Sequence, residues 1–200
     1  MGKWRKNSIF IIIFLIALYF LTFPFNSWFG EIMMRHQIIQ LPLSIILGLT
    51  FGFWFRTLKS PNPSVSISFL IVSTLTMIFW MIPRSIDMAV VFPYFNYLMV
   101  FSLVLVGSLI VFAFRNVFIE VKIAFLGMST AMYFASGVTL KALDVLLCSS
   151  FDIDQQHTTG GYLLLIGVLL FIFTIVMLLR FLEQSGKSKF TQKEENLTED

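Results

Sequence analysis

Charge is scarce in this sequence. Asp, Glu, Lys and Arg make up 12% of its 200 residues, about half the share usual in a water-soluble domain. That shortfall excludes a globule wetted on all sides. A chain that is 58% apolar, with mean hydropathy +0.87, has too little polar material to cover such a surface. Cysteine is nearly absent. Cys148 stands alone, which excludes an intramolecular disulfide and any multi-cysteine zinc or iron–sulfur site. Histidine occurs only as His36 and His157, and only the first lies in an apolar run, so bis-histidine haem ligation within a membrane is not available. GxSxG, Walker A, HExxH and GxGxxG motifs are missing, as is any internal repeat.

What the sequence has in quantity is long apolar runs, at about 8–25, 32–55, 64–83, 90–114, 117–147 and 160–182, each bounded by charge, proline or glycine. About 20 apolar residues in a helix cross a hydrocarbon core. These runs are continuously apolar rather than alternating, which selects helices over a β-barrel. The expected fold class is all-α: a polytopic membrane bundle of about six helices, residues 1–183, with a charged tail over 184–200 expected to be disordered. Trp4, Trp28, Trp54 and Trp80 recur every 24 to 26 residues. That is ~36–39 Å of helix, one membrane with its interfaces, where indoles prefer to sit.

Orientation follows from the basic residues. With the N-terminus inside, eleven of fourteen Lys and Arg residues fall on the cytoplasmic side, and only Arg35, Arg84 and Lys141 fall outside. The positive-inside bias therefore expects both termini in the cytoplasm and residence in the cell's inner (plasma) membrane. Lys3, Arg5 and Lys6 precede an apolar run that no small-residue cleavage site follows, which reads as an uncleaved signal anchor. The net charge of +3 is spent at helix ends, so lipid and not nucleic acid is the expected partner.

With this topology the polar residues collect toward the outer side. Glu31, Arg35, His36, Gln37 and Gln40 open the second run. Arg84 and Asp87 end the third, Asn96 enters the fourth, and Lys141, Asp144 and Cys148 end the fifth. Asp152, Asp154, Gln155, Gln156 and His157 fill the loop that follows. Ionisable groups at membrane depth are functional candidates, although Arg84 with Asp87, and Lys141 with Asp144, are also spaced to pair with each other. His36, with Met33 and Met34 on the preceding turn, forms a soft donor set that suits Cu(I); Met81 and Cys148 are the further candidate ligands. Arg84, Asp87, Asn96, Asp144, Asp154 and Gln155 make an outer-face polar cluster. Gly48 with Gly52, and Gly127, Ala131, Ala135 and Ser136, are small-residue faces suited to close helix packing. The cytoplasmic half holds little besides anchoring charges and Glu120, which argues against a transporter or channel.

Three segments together resemble the polytopic CtaG family, multi-span membrane proteins linked to assembly of cytochrome c oxidase and its copper centre. Trp80-Met81-Ile82-Pro83-Arg84-Ser85-Ile86-Asp87-Met88-Ala89 is similar to the family's Trp-His-x-Pro-x-x-Tyr-Asp/Glu-x-Ala run, and the register continues through Pro93 and Ser102 to Gly107. His36 and Pro42 resemble its His-rich helix, and Asp154-Gln155-Gln156 before Gly160-Gly161 its last-helix motif. The resemblance implies an assembly factor handling copper for a membrane oxidase or other copper enzyme. Where the family carries further histidines, this chain has Met81, Asn96 and Val100. That loss raises the alternative of a metal-free structural or interaction subunit of a membrane complex. Neither reading makes the chain an enzyme.

Overall fold

The structure is a computed structural model that describes residues 2–55, 61–143 and 145–198, with side chains described for 8–55, 61–143 and 145–183. Among these residues all regular structure is helical. In chain order the helices are α1 (Gly2–Thr22), α2 (Asn26–Gly30), a π-helical turn (Arg35–Gln40) running into α3 (Leu41–Trp54), α4 (Pro63–Met81), α5 (Pro83–Val91), α6 (Pro93–Phe114), α7 (Ile119–Ala142) and α8 (Ile153–Thr198). Five helical stretches are long and apolar enough to cross a membrane: 35–54, 63–81, 93–114, 119–142 and 153–183; Ser8–Thr22 is a shorter apolar helix. The protein is an all-α, multi-pass membrane bundle.

Its exterior supports that conclusion independently. Leu75, Phe101 and Leu169 are 59–65% exposed, whereas Ser44, Ser66, Ser73 and Asn96 are fully buried. A soluble fold places such residues the other way round. Here lipid covers the apolar side chains.

Proline sets the helix starts. Pro63, Pro83 and Pro93 each occupy the first turn of a helix, where the missing N–H breaks no bond, and the residue before each is extended (Asn62, Ile82, Phe92). This breaks the 64–114 region into three helices rather than two. Arg84 and Asp87, expected at the end of a long span, belong instead to the nine-residue α5, which buries Ser85, Ile86, Asp87 and Ala89. The fifth run likewise divides: α7 ends at Ala142, and an irregular loop leads to α8. α8 begins at Ile153, with Asp154 in its first turn, where a carboxylate faces the positive end of the helix dipole. Asp154 to His157 are therefore helical rather than loop residues. The backbone of α8 runs on to Thr198, through the segment read from sequence as a tail.

Lipid offers no hydrophobic drive between helices, so close packing must hold them together. α3 meets α6 where Gly48 lies against the backbone of Val104 and Gly107, and the Ser108 hydroxyl donates to the Gly48 carbonyl at 3.1 Å. α7 meets α8 at Gly137 and Gly160, whose added Cβ atoms would lie 2.9 and 2.8 Å from the opposite glycine's carbonyl oxygen. The expected small face of α7 does not make this contact, and Gly127 has open space beside it. α4 is pinned to α6 by the buried Trp80 indole, which donates to the Ser102 hydroxyl at 2.8 Å.

Candidate functional site

One end of the bundle gathers the end of α4, α5, the starts of α6 and α8, the π-turn and the α7–α8 loop. The π-turn has a local cause. Pro42 has no N–H to return to the turn before it, and its ring crowds that turn. The Leu41 N–H bonds the His36 carbonyl, five residues back. The wider winding turns His36, Gln37 and Gln40 inward together, each no more than 1% exposed. π-turns recur at functional sites.

The interior polar groups are only partly satisfied. Gln40 Nε2 donates to Asn96 Oδ1 at 3.0 Å and to the Leu21 carbonyl at 3.4 Å. Among the described residues, Gln40 Oε1, Asn96 Nδ2, both Gln37 amide atoms and both His36 ring nitrogens have no hydrogen-bond partner. The Gln40 side chain approaches the His36 ring without reaching hydrogen-bond geometry. A buried polar group left unpaired costs about 1–3 kcal/mol, so these six atoms in neighbouring side chains make this the least satisfied part of the described interior.

Around this cluster the remaining polar side chains are committed to structure. Asp87, 6% exposed, accepts from Ser149 N at 2.8 Å, Ser149 Oγ at 3.0 Å and Ser150 N at 3.1 Å. The expected Arg84–Asp87 pair does not form: Arg84 is exposed, and the carboxylate is turned to the α7–α8 loop, whose backbone donors are the nearer claim on it. Gln156, 2% exposed, holds the same loop, accepting from Leu147 N at 3.1 Å and donating to the Cys148 and Phe151 carbonyls. Gln155 Oε1 accepts from Met33 N at 3.2 Å, tying α8 to the residues before the π-turn. Arg35 pairs with Glu31 at 3.2 Å and stacks over the Trp28 ring.

Of the soft donors, Met33, Met81 and Cys148 are buried in one core cluster with Ile86, Met132 and Phe151. Met34 is not with them; it lines a separate small cavity of about 220 Å³ beside Asp154 and Gln155. The Cys148 thiol donates to the Pro83 carbonyl at 3.7 Å. Burial, and secondarily the Asp87 carboxylate, push its pKa up to about 12. It is a held thiol rather than a ready thiolate. Asp154 is exposed, and Asp144, with its expected pairing to Lys141, lies outside the described residues. Among the described residues no three His, Cys, Asp or Glu side chains converge, so a metal here would need thioether donors as well.

Two features escaped the sequence reading. Gln37 and Gln40 belong with His36 as a buried set, a grouping that their spacing of three and four residues on one helix already carried. Gln156, taken for a loop residue, is a buried staple, and no local pattern announces that. No protein-family model, curated protein or solved structure matches this chain.

Proposed function

We propose that this protein is a membrane-embedded assembly or interaction subunit, crossing the cell membrane six times with both termini in the cytoplasm. It engages a partner subunit of a membrane oxidase or other copper-enzyme complex through its outer end. The observation that carries this reading is a partly satisfied polar set, His36, Gln37 and Gln40 of the π-turn with Asn96 of α6, framed by side chains already committed to holding that end together. Asp87, Gln155 and Gln156 act as structural ties, and this favours the metal-free form of the proposal.

A copper-handling form is the second reading. Its support is that Met33, Met81 and Cys148 share one buried cluster next to the turn that carries His36. His36, Met33 and Met81 would hold Cu(I) as soft donors, and Cys148 would join only by giving up a tightly held proton. The group would supply transfer of the metal to a client, not catalysis.

The test is affinity purification from native membranes, with the co-purifying subunits identified and copper measured by mass spectrometry. The metal-free form expects oxidase-type subunits to co-purify, with copper on this chain, once it is separated from them, below one-tenth equivalent and unchanged by His36→Ala. Near-stoichiometric copper lost in His36→Ala would replace it with the second reading. A tag after Asp200 reporting outside the cell would end both.

A further inference from the structure

A groove runs along the lipid-facing seam of α4 and α7, and it meets the polar set just described at Gln37 alone. Its deeper part is a cavity of about 430 Å³ reaching from Met128 on α7 to Pro83 and Leu140. A second hollow of about 350 Å³ continues it toward Ile67 and Val121, and the two share Ile78 and Met128. From Val121 to Leu140 the groove follows α7 for ~29 Å, about the thickness of a hydrocarbon core. The space exists because α7 presents Ala131, Ala135 and Ser136 to it, small side chains of which the two alanines are exposed.

Its deep end is not apolar. Gln37 bounds the cavity, 1% exposed, with neither amide atom hydrogen-bonded. Met81 and Met132 flank it, and unbranched thioether side chains repack readily around an entering group. Ser136 and Thr139 lie along the same wall. None of the residues lining either hollow is charged.

We propose that this groove binds a neutral, single-tailed amphiphile from the bilayer, its hydroxyl head paired with Gln37 and its hydrocarbon tail laid between α4 and α7. A hydroxyl both donates and accepts, which matches an amide whose NH2 group and carbonyl oxygen are both free. A charged head would be desolvated against uncharged walls. The volume suits the head and first part of a tail, within the range of small-molecule sites, and the shallower hollow takes the rest.

The test uses the full chain, purified in detergent and stripped of lipid. Decylubiquinol, monoolein and 1-heptadecene, which has no hydroxyl, are titrated separately and binding is read by native mass spectrometry. The expected result is one equivalent of decylubiquinol or monoolein bound, no heptadecene, and at least a tenfold weaker affinity in Gln37→Leu. Ala135→Phe fills the groove from the lipid-facing side of α7, where the native side chain is exposed, and is expected to weaken binding as much. Preference for the quinol or the glyceride identifies the source of the ligand. The proposal is overturned if neither hydroxyl compound binds, if heptadecene binds equally, or if both variants bind like the original. It is also overturned if cross-linking from position 135 in native membranes captures a protein helix in the groove.

Discussion

Replacing Gly48 by alanine tests the packing that holds the bundle together. A Cβ built there would lie 2.8 Å from the carbonyl carbon of Val104, nearer still to its oxygen, and 3.0 Å from the Cα of Gly107. Ordinary contact begins near 3.4 Å, so α3 and α6 must part by at least ~0.6 Å, and the obstacle is helix backbone that cannot rotate away. Overpacking of this kind costs about 1–3 kcal/mol. Separation also stretches the 3.1 Å Ser108–Gly48 hydrogen bond, worth about 0.5–1.5 kcal/mol. The expected loss is roughly 2–4 kcal/mol, read as a lower midpoint in thermal or SDS unfolding followed by far-UV circular dichroism. Gly127→Ala is the internal control: nothing lies within 4 Å of its added Cβ, and exchanging glycine for alanine within a helix gains up to about 1 kcal/mol. If Gly48→Ala and Gly127→Ala unfold together with the unaltered protein, the glycine seam does not hold α3 to α6 and the reasoning fails.

Other outcomes follow from the same contacts. Asp87→Asn removes the charge and one of the two acceptor oxygens that hold Ser149 and Ser150. It should destabilise by about 1–3 kcal/mol, with faster amide hydrogen exchange confined largely to 147–152; uniform exchange across the bundle would contradict the local role. Cys148, with its pKa at about 12, is only about one part in 10⁴ thiolate at pH 8, so maleimide should leave it unlabelled in the folded protein and label it fully in SDS. Because the folded pKa lies above the ordinary value, the stability this thiol contributes is present below about pH 9 and is lost between 9 and 12. A melting temperature that rises over that interval would contradict it. Trp80→Phe loses the 2.8 Å bond to Ser102 and should cost about 0.5–1.5 kcal/mol while removing the most blue-shifted component of the tryptophan emission; an unshifted spectrum would show that Trp80 is not the buried indole.

The fold class was legible because lipid imposes a one-dimensional rule, continuous apolarity, that the 64–83, 90–114 and 160–182 runs display without help from distant residues. Helix boundaries were less so wherever polar residues start a helix. Ile153 to Thr159 is too polar to count toward a span, yet Gln156 is buried because the loop it staples folds back over it. Pro83 and Pro93 did carry the division of α4, α5 and α6, since each forces an extended residue before it, but hydropathy alone runs across both. Of the candidate site, His36 was visible as a lone imidazole in an apolar run. The convergence of Met33, Met81 and Cys148 was named but not derivable, because residues 33, 81 and 148 meet only through the order in which helices pack. The fate of Asp87 depended on partners 62 and 63 residues away, beyond any local spacing rule, and the three-residue step to Arg84 was the misleading signal.

That separation bears on how the protein is made. The carboxylate of Asp87 leaves the ribosome about sixty residues ahead of the serines that will clasp it, an interval of roughly 3–12 s at ordinary elongation rates. For that time it must keep water as its partner. A nine-residue helix with one polar edge, set off by a proline at either end, can rest at the membrane surface until the final hairpin arrives.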